Sequence, residues 1–167
     1  MTLTLVLIRH AKSDWDDPLL DDHDRPLNAR GLSDAPRIGA WLLAQGHVPG
    51  AAMVSTARRA VATWDAVVSA FAPPPPVSFH PRLYHASAGI MLDVLRRAEA
   101  PTIAMIGHNP GIGDFAARLL TTAPIHPRFD DYPTCATLVA RFDAGAWADV
   151  RFGTGTATAF VTPHDLG

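Results

Sequence analysis

The stretch Leu3-Thr4-Leu5-Val6-Leu7-Ile8-Arg9-His10 decides the fold. Leu3 to Ile8 is a short apolar run rich in Leu and Val, and it stops on charge. Such a run suits a strand buried on both faces, as in a parallel sheet. It is too short to span a bilayer. It also lacks the basic flank and small-residue cleavage site of a secretory leader. The expectation is one cytoplasmic globular domain over residues 1–167, with no membrane contact.

Working outward, Lys12 to Pro26 is irregular, with six aspartates and two prolines, and its acidity reads first as solvation. From Asn28 the pattern turns helical: Leu32, Ala35, Ile38, Gly39, Leu42 and Leu43 recur at three- and four-residue spacing, and Gly46 stops the run. Either Asn28 caps this helix and Pro36 bends it, or Ser33 is the true cap. Ala51 to Ser55 reads as a second strand, followed by a helix with Val61, Trp64, Val67, Val68 and Phe71 on one side. Pro73 to Pro76 is a stiff connector. Val77 to Phe79 is a third strand, Ser87 caps a third helix, and Thr102 to Ile106 is a fourth strand. Asn109-Pro110 opens a fourth helix with Ile112, Phe115, Ala116, Leu119 and Leu120 inward. The remainder holds three β-like runs, Thr137 to Phe142, Ala148 to Phe152 and Thr158 to Thr162. Strands alternating with helices predict a three-layer α/β/α sandwich around a mostly parallel sheet.

Composition narrows the function classes. Lys+Arg number 14 against 16 Asp+Glu, giving a net charge of −2, without the basic face that nucleic-acid binding requires. Apolar residues make up 48%, enough for a packed core and too many for disorder. The lone Cys135 excludes a disulfide framework and a multi-cysteine zinc site, and reads as a small core or strand-edge residue. His23, His47, His80, His126 and His164 lack compact ligand spacing, so neither a metal nor another cofactor is expected.

In open α/β sheets ligands collect at the carboxyl ends of the strands. The first strand ends at Arg9-His10, the second at Ser55 ahead of Arg58-Arg59, and the fourth at Gly107-His108-Asn109. Two histidines and at least two arginines therefore gather at one edge. Guanidinium groups match phosphate oxygens, and a neutral imidazole beside them is a good nucleophile toward phosphorus. Two unit charges ~4 Å apart interact by ~4 kcal/mol at an effective dielectric of ~20, so neighbouring arginines oppose protonation of that imidazole. A single histidine at a strand end is more often a surface residue. Two such histidines, one after Arg and one within Gly-His-Asn-Pro-Gly, are harder to attribute to chance.

Arg9-His10-Ala11-Lys12-Ser13 resembles the signature of the histidine phosphatase superfamily. Leu27-Asn28-Ala29-Arg30-Gly31 and Ser55-Thr56-Ala57-Arg58-Arg59-Ala60-Val61-Ala62-Thr63 are similar to its next two motifs. Gly107-His108-Asn109-Pro110-Gly111, Pro133-Thr134-Cys135-Ala136 and Phe160-Val161-Thr162-Pro163 resemble its short bacterial branch, the SixA-type phosphohistidine phosphatases. The resemblance implies a phosphoglycerate mutase-like fold and metal-independent phosphatase chemistry. It makes His10 the nucleophile. Arg9, Arg59 and His108 become phosphate ligands, with His108 also steadying the transition state, and Arg58 a solvated neighbour.

The sequence departs from that family where many members carry a glutamate proton donor: here the loop reads Arg82-Leu83-Tyr84-His85-Ala86. His85 is either a substitute acid or only a loop histidine, and an aspartate between residues 14 and 24 is the other candidate donor. Many members also have Asn where this chain has Asp16. An alkoxide leaving group needs a proton, whereas the imidazole of phosphohistidine can depart neutral. The expected substrate is therefore a phosphorylated histidine-containing protein, such as a phosphotransfer protein. The rivals are a small phosphorylated metabolite and a phosphate-binding module with little turnover.

Overall fold

The computed structural model describes residues 2–167. The strands are β1 (Thr2–Arg9), β2 (Ala51–Ser55), β3 (Val77–His80), β4 (Thr102–Gly107), β5 (Thr137–Asp143) and β6 (Thr156–Val161). They form one sheet in the order β3-β2-β4-β1-β5-β6. β3, β2, β4 and β1 run parallel, while β5 lies antiparallel to β1 and β6 antiparallel to β5. The mostly parallel sheet is thus closed on one side by an antiparallel hairpin.

Alternation along β1 explains the layers. Val6 and Ile8 join a core with Ala35, Ile38 and Leu42 of α1 (Ala29–Ala44) and Trp64 and Val67 of α2 (Arg58–Val68). Leu5 and Leu7 point the other way, toward Met91 and Leu95 of α3 (Ala88–Leu95) and Ile112 and Phe115 of α4 (Gly111–Leu119). A strand with period-two geometry that is apolar on both faces must be covered twice, and the three-layer sandwich does so. Among the described residues no helix is long and apolar enough to cross a membrane.

Asn28 caps α1, accepting from the Gly31 N–H at 2.9 Å, so Ser33 is an interior helical residue. Pro36 lies inside the helix on its exposed side, where the carbonyl deprived of a partner faces water. Leu32 and Leu43, expected on the inner face, are exposed. The buried stripe is narrower, running through Gly31, Ala35, Ile38, Gly39 and Leu42, because α1 seats on α2 through small residues. Ala148 to Phe152 is not a strand. Trp147 to Asp149 makes a short 3-10 turn, anchored by the Trp147 indole N–H donating to the Ala100 carbonyl at 2.8 Å. The Val150 carbonyl accepts from Arg96 Nε at 3.0 Å, which replaces a ladder bond with a side-chain one.

Gly39 marks the closest approach of α1 to α2: a Cβ there would lie 2.3 Å from the Val67 carbonyl oxygen. Helix propensity alone makes Gly39→Ala stabilising by about 1 kcal/mol. The clash with backbone reverses the sign, and the substitution should destabilise the protein by about 2 kcal/mol in urea unfolding. A variant as stable as the wild type would contradict this packing.

Candidate active site

The register of the parallel strands assembles the site. Arg9 pairs with Gly107, and the His10 N–H donates to the Gly107 carbonyl at 3.1 Å, so His10 and His108 leave adjacent strands at the same level. Their ring centroids are 5.1 Å apart. Ser55 ends β2 beside them, because Val54 is in register with Ile106. α2 then delivers Arg59 into the site and turns Arg58 to solvent. Thr63 locks this arrangement, accepting from the Ala11 N–H at 2.9 Å and donating to the Arg59 carbonyl at 2.7 Å.

His10 Nδ1 lies 2.7 Å from the Ala11 carbonyl, a contact that requires the proton on Nδ1. Nε2 therefore carries the lone pair, and Arg59 Nε donates toward it at 3.4 Å. Burial pushes the His10 imidazole down to about 4, and the Arg59 and Arg9 charges add to that effect. The sequence suggested the arginines as the reason the ring stays neutral; desolvation is the larger cause. His108 is held lower still, at about 3, by burial first and then by the neighbouring His10 and Arg59.

His108 Nε2 is 2.7 Å from the Ser55 hydroxyl, which also accepts from the Ala57 N–H at 3.3 Å. The hydroxyl proton is then free to be donated to Nε2, which leaves the ring proton on Nδ1. Among the described residues His108 Nδ1 and Arg9 Nε are buried with no hydrogen-bond partner. Unpaired buried donors are costly and rare. Both belong to side chains lining a cavity of 300 Å³ that also takes in His10, Lys12, Arg59 and Asn109. These two atoms themselves are closed off from the cavity.

Asp22 is the residue that sequence reasoning did not single out. Its carboxylate accepts from Arg59 Nη2 at 3.0 Å and from the Tyr84 hydroxyl at 2.6 Å, while its carbonyl accepts from Arg59 Nη1 at 2.7 Å. Partial burial favours the protonated form, but the Tyr84 and Arg59 contacts outweigh it and hold Asp22 below the usual carboxylate range. A phosphate entering the cavity would compete with Asp22 for the Arg59 guanidinium. His85 stands with its Nε2 3.8 Å from the Asp22 carboxylate, on a left-handed backbone with φ of 55°. It lines both the 300 Å³ cavity and an adjoining one of 470 Å³ walled by Ala86, Ala88, Pro110 and Gly111. Of the expected site residues, His10, His108, His85, Arg9 and Arg59 all converge here. Cys135 is buried, and burial together with the Asp34 charge pushes its thiol up to about 12, which leaves it inert at neutral pH. Among the described residues no cluster of three or more His, Cys, Asp or Glu could hold a metal ion.

Comparison with known proteins places the chain in a family. The model of the histidine phosphatase superfamily (branch 1) matches residues 5–100. An uncharacterised protein of Mycobacterium tuberculosis (strain H37Rv) is 34% identical over 164 residues, covering 94% of this chain and 100% of the relative. A candidate phosphohistidine phosphatase SixA from Nakamurella multipartitia superposes with a TM-score of 0.79 at 27% identity, covering 98% of this chain and 97% of that one. The protein histidine phosphatase SixA bound to tungstate has the same fold, with a TM-score of 0.79 at 22% identity, covering 99% of this chain and 100% of that one. The chain belongs to the histidine phosphatase superfamily, branch 1, and is a phosphatase. Its structural likeness is to the short SixA type, with a phosphoglycerate mutase-like fold.

The depressed imidazoles have a consequence for stability. Below pH ~6.5 the unfolded chain protonates both histidines, whereas the folded chain resists until about 4 for His10 and about 3 for His108. The unfolded state binds more protons in this window, so stability is fully present above the unfolded value and is lost as pH falls toward 4. His108→Gln removes one of the two groups. Its unfolding free energy should fall less steeply between pH 6 and 4, by up to ~1.4 kcal/mol per pH unit, in urea unfolding monitored by tryptophan fluorescence. Parallel slopes for variant and wild type would contradict the burial of a neutral His108.

Proposed function

We propose that this phosphatase removes the phosphoryl group from phosphohistidine on a partner protein, through a phosphohistidine formed on His10. The observation that carries the reading is the His10 tautomer. Nδ1–H is committed to the Ala11 carbonyl, and Nε2 presents a lone pair to a cavity lined by Arg9, Arg59 and His108. In the first step Nε2 attacks phosphorus, the substrate P–N bond breaks, and the leaving imidazole departs neutral when its distal nitrogen carries a proton. Arg9, Arg59 and His108, which line the cavity, stabilise the charge on the transferring oxygens. In the second step water attacks phosphorus, the P–N bond to His10 breaks, and the water protons leave with inorganic phosphate. The lone pair returns to Nε2.

The proton-donor position supports a nitrogen leaving group. Asp22 is held ionised by Tyr84 and Arg59, which is the wrong state for a donor in the resting enzyme. His85 is the remaining candidate at the junction of the two cavities, and we assign it the delivery of a proton to poorer leaving groups. Support for a protein substrate comes from the rim. Trp15 and Leu19, in the loop that carries Asp22, are 62% and 92% exposed and offer apolar anchors to a partner surface. The small-metabolite reading draws its support from the 470 Å³ cavity, which is large enough for a small organic leaving group.

Steady-state turnover of a phosphohistidine peptide, an aryl phosphate and a sugar phosphate tests the assignment. The wild type should prefer phosphohistidine. Loss of a general acid costs about 100-fold or more where the leaving group needs its proton. His85→Ala should therefore slow the sugar phosphate by that amount and phosphohistidine by far less. A wild type that prefers the sugar phosphate, with a ratio unmoved in the variant, would refute both the substrate class and the donor.

A further inference from the structure

A third cavity shares part of its wall with the phosphate site, and His85 does not line it. It has a volume of 300 Å³ and is lined by Arg9, Lys12, Arg30, Arg128, Asp131 and Thr134, together with Pro133. Arg9, Lys12 and Thr134 line the phosphate cavity as well, so the two spaces are adjacent around them. We propose that this groove is a second anion subsite, built to hold a carboxylate or phosphate that the substrate carries beside its scissile phosphoryl group. The proposal rests on the reading of the first cavity as the phosphoryl site and adds a substrate class to it.

The charge placement carries the inference. Four cations and one carboxylate line the groove, on a chain whose net charge is −2, so the basic character is local. Lys12 is the single lysine of the chain. It is exposed at the junction of the two cavities and forms no ion pair among the described residues. Arg30 and Arg128 reach the groove from opposite sides, one from the start of α1 and the other from the segment between α4 and β5. Each is paired only with an acid on its own segment: Arg30 with Asp34 at 3.4 Å and Arg128 with Asp131 at 2.9 Å. Both arginine side chains are more than half exposed, at 67% and 55%. The Arg128–Asp131 pair is exposed on both sides and weak, so it positions its cation without consuming it, while Arg30 pairs with a buried Asp34 carboxylate that it shares with Arg37. Arg9 links the two sites: Nη1 is fixed by the Tyr132 carbonyl at 3.2 Å, and Nε is unpartnered.

The anion has two sources, an acidic side chain flanking the phosphohistidine or a second acidic group on a small molecule. Calorimetric titration with methylphosphonate and with methylenediphosphonate measures the subsite without turnover, so the result is independent of which leaving group the enzyme prefers. The wild type should bind the bisphosphonate about tenfold more tightly than the monophosphonate at low salt. That preference should shrink as ionic strength rises. Arg30→Gln and Arg128→Gln should each reduce the ratio by about threefold, with circular dichroism and the unfolding midpoint reporting that both variants are folded. In a second arm, phosphohistidine peptides with Glu or Gln flanking the phosphorylated residue are compared by kcat/KM. A Glu advantage that is lost in the double variant assigns the anion to the partner protein. Discrimination of the phosphonates without a Glu advantage assigns it to a small molecule. Equal affinity of the wild type for both phosphonates, or a ratio unchanged in the double variant, would overturn the subsite.

Discussion

β1 and β4 run parallel in a register that sets Arg9 opposite Gly107, and the remaining geometry of the site follows from that pairing. A slip of one residue would turn Leu5 and Leu7 toward α1 and α2, and Val6 and Ile8 toward α3 and α4. Both cores resist it, because each is filled by the side chains that the present register supplies. The buried sheet thus fixes where each strand ends. His10 and His108 are the first residues past those ends, so their separation is set by strand spacing rather than by flexible loops. A phosphoryl acceptor needs that kind of positioning, since small displacements of reacting atoms are expensive in rate.

Electrostatics then divides the histidines by environment. His10 and His108 sit where water is excluded and cations are close, and both are neutral throughout the physiological range. Each has one ring nitrogen committed to the protein, through the Ala11 carbonyl and the Ser55 hydroxyl; of the other two, His10 Nε2 faces Arg59 and His108 Nδ1 is buried without a partner. The two rings therefore present opposite faces of the same chemistry, a lone pair on His10 and an N–H on His108. Arg59 joins them to Asp22, whose carboxylate holds the guanidinium in place from the loop side. The Asp22 loop also carries Trp15, which lines the same cavity, so one segment tunes the charge in the site and forms part of its wall.

The parallel core was legible because its signals are local: short apolar runs ending in charge, and a helix capped at Ser87; for α1 the sequence left Asn28 and Ser33 open as caps, and the bond to Gly31 selects Asn28. Arg9, His10, Arg59 and His108 were legible because strand ends in such a sheet converge by rule. Asp22 was not, since it is one of six aspartates in an irregular loop and nothing in its spacing separates it from the solvated ones. The same holds for Ser55, whose contact with His108 depends on which strands are neighbours. Leu32, Leu43 and the Ala148–Phe152 run were misread for a shared reason. Periodicity reports apolar residues, but Gly39 against Val67 and Trp147 against the Ala100 carbonyl decide which surfaces are covered.

We place the transferring phosphoryl group on His10 Nε2. Rapid quench with a phosphorus-labelled phosphohistidine peptide, followed by peptide mapping under alkaline conditions, tests it directly. The account predicts an acid-labile, base-stable label on His10 alone, and no label when His10 is replaced by alanine. Label on His108 or any other residue, or label that persists in the His10→Ala protein, would contradict it.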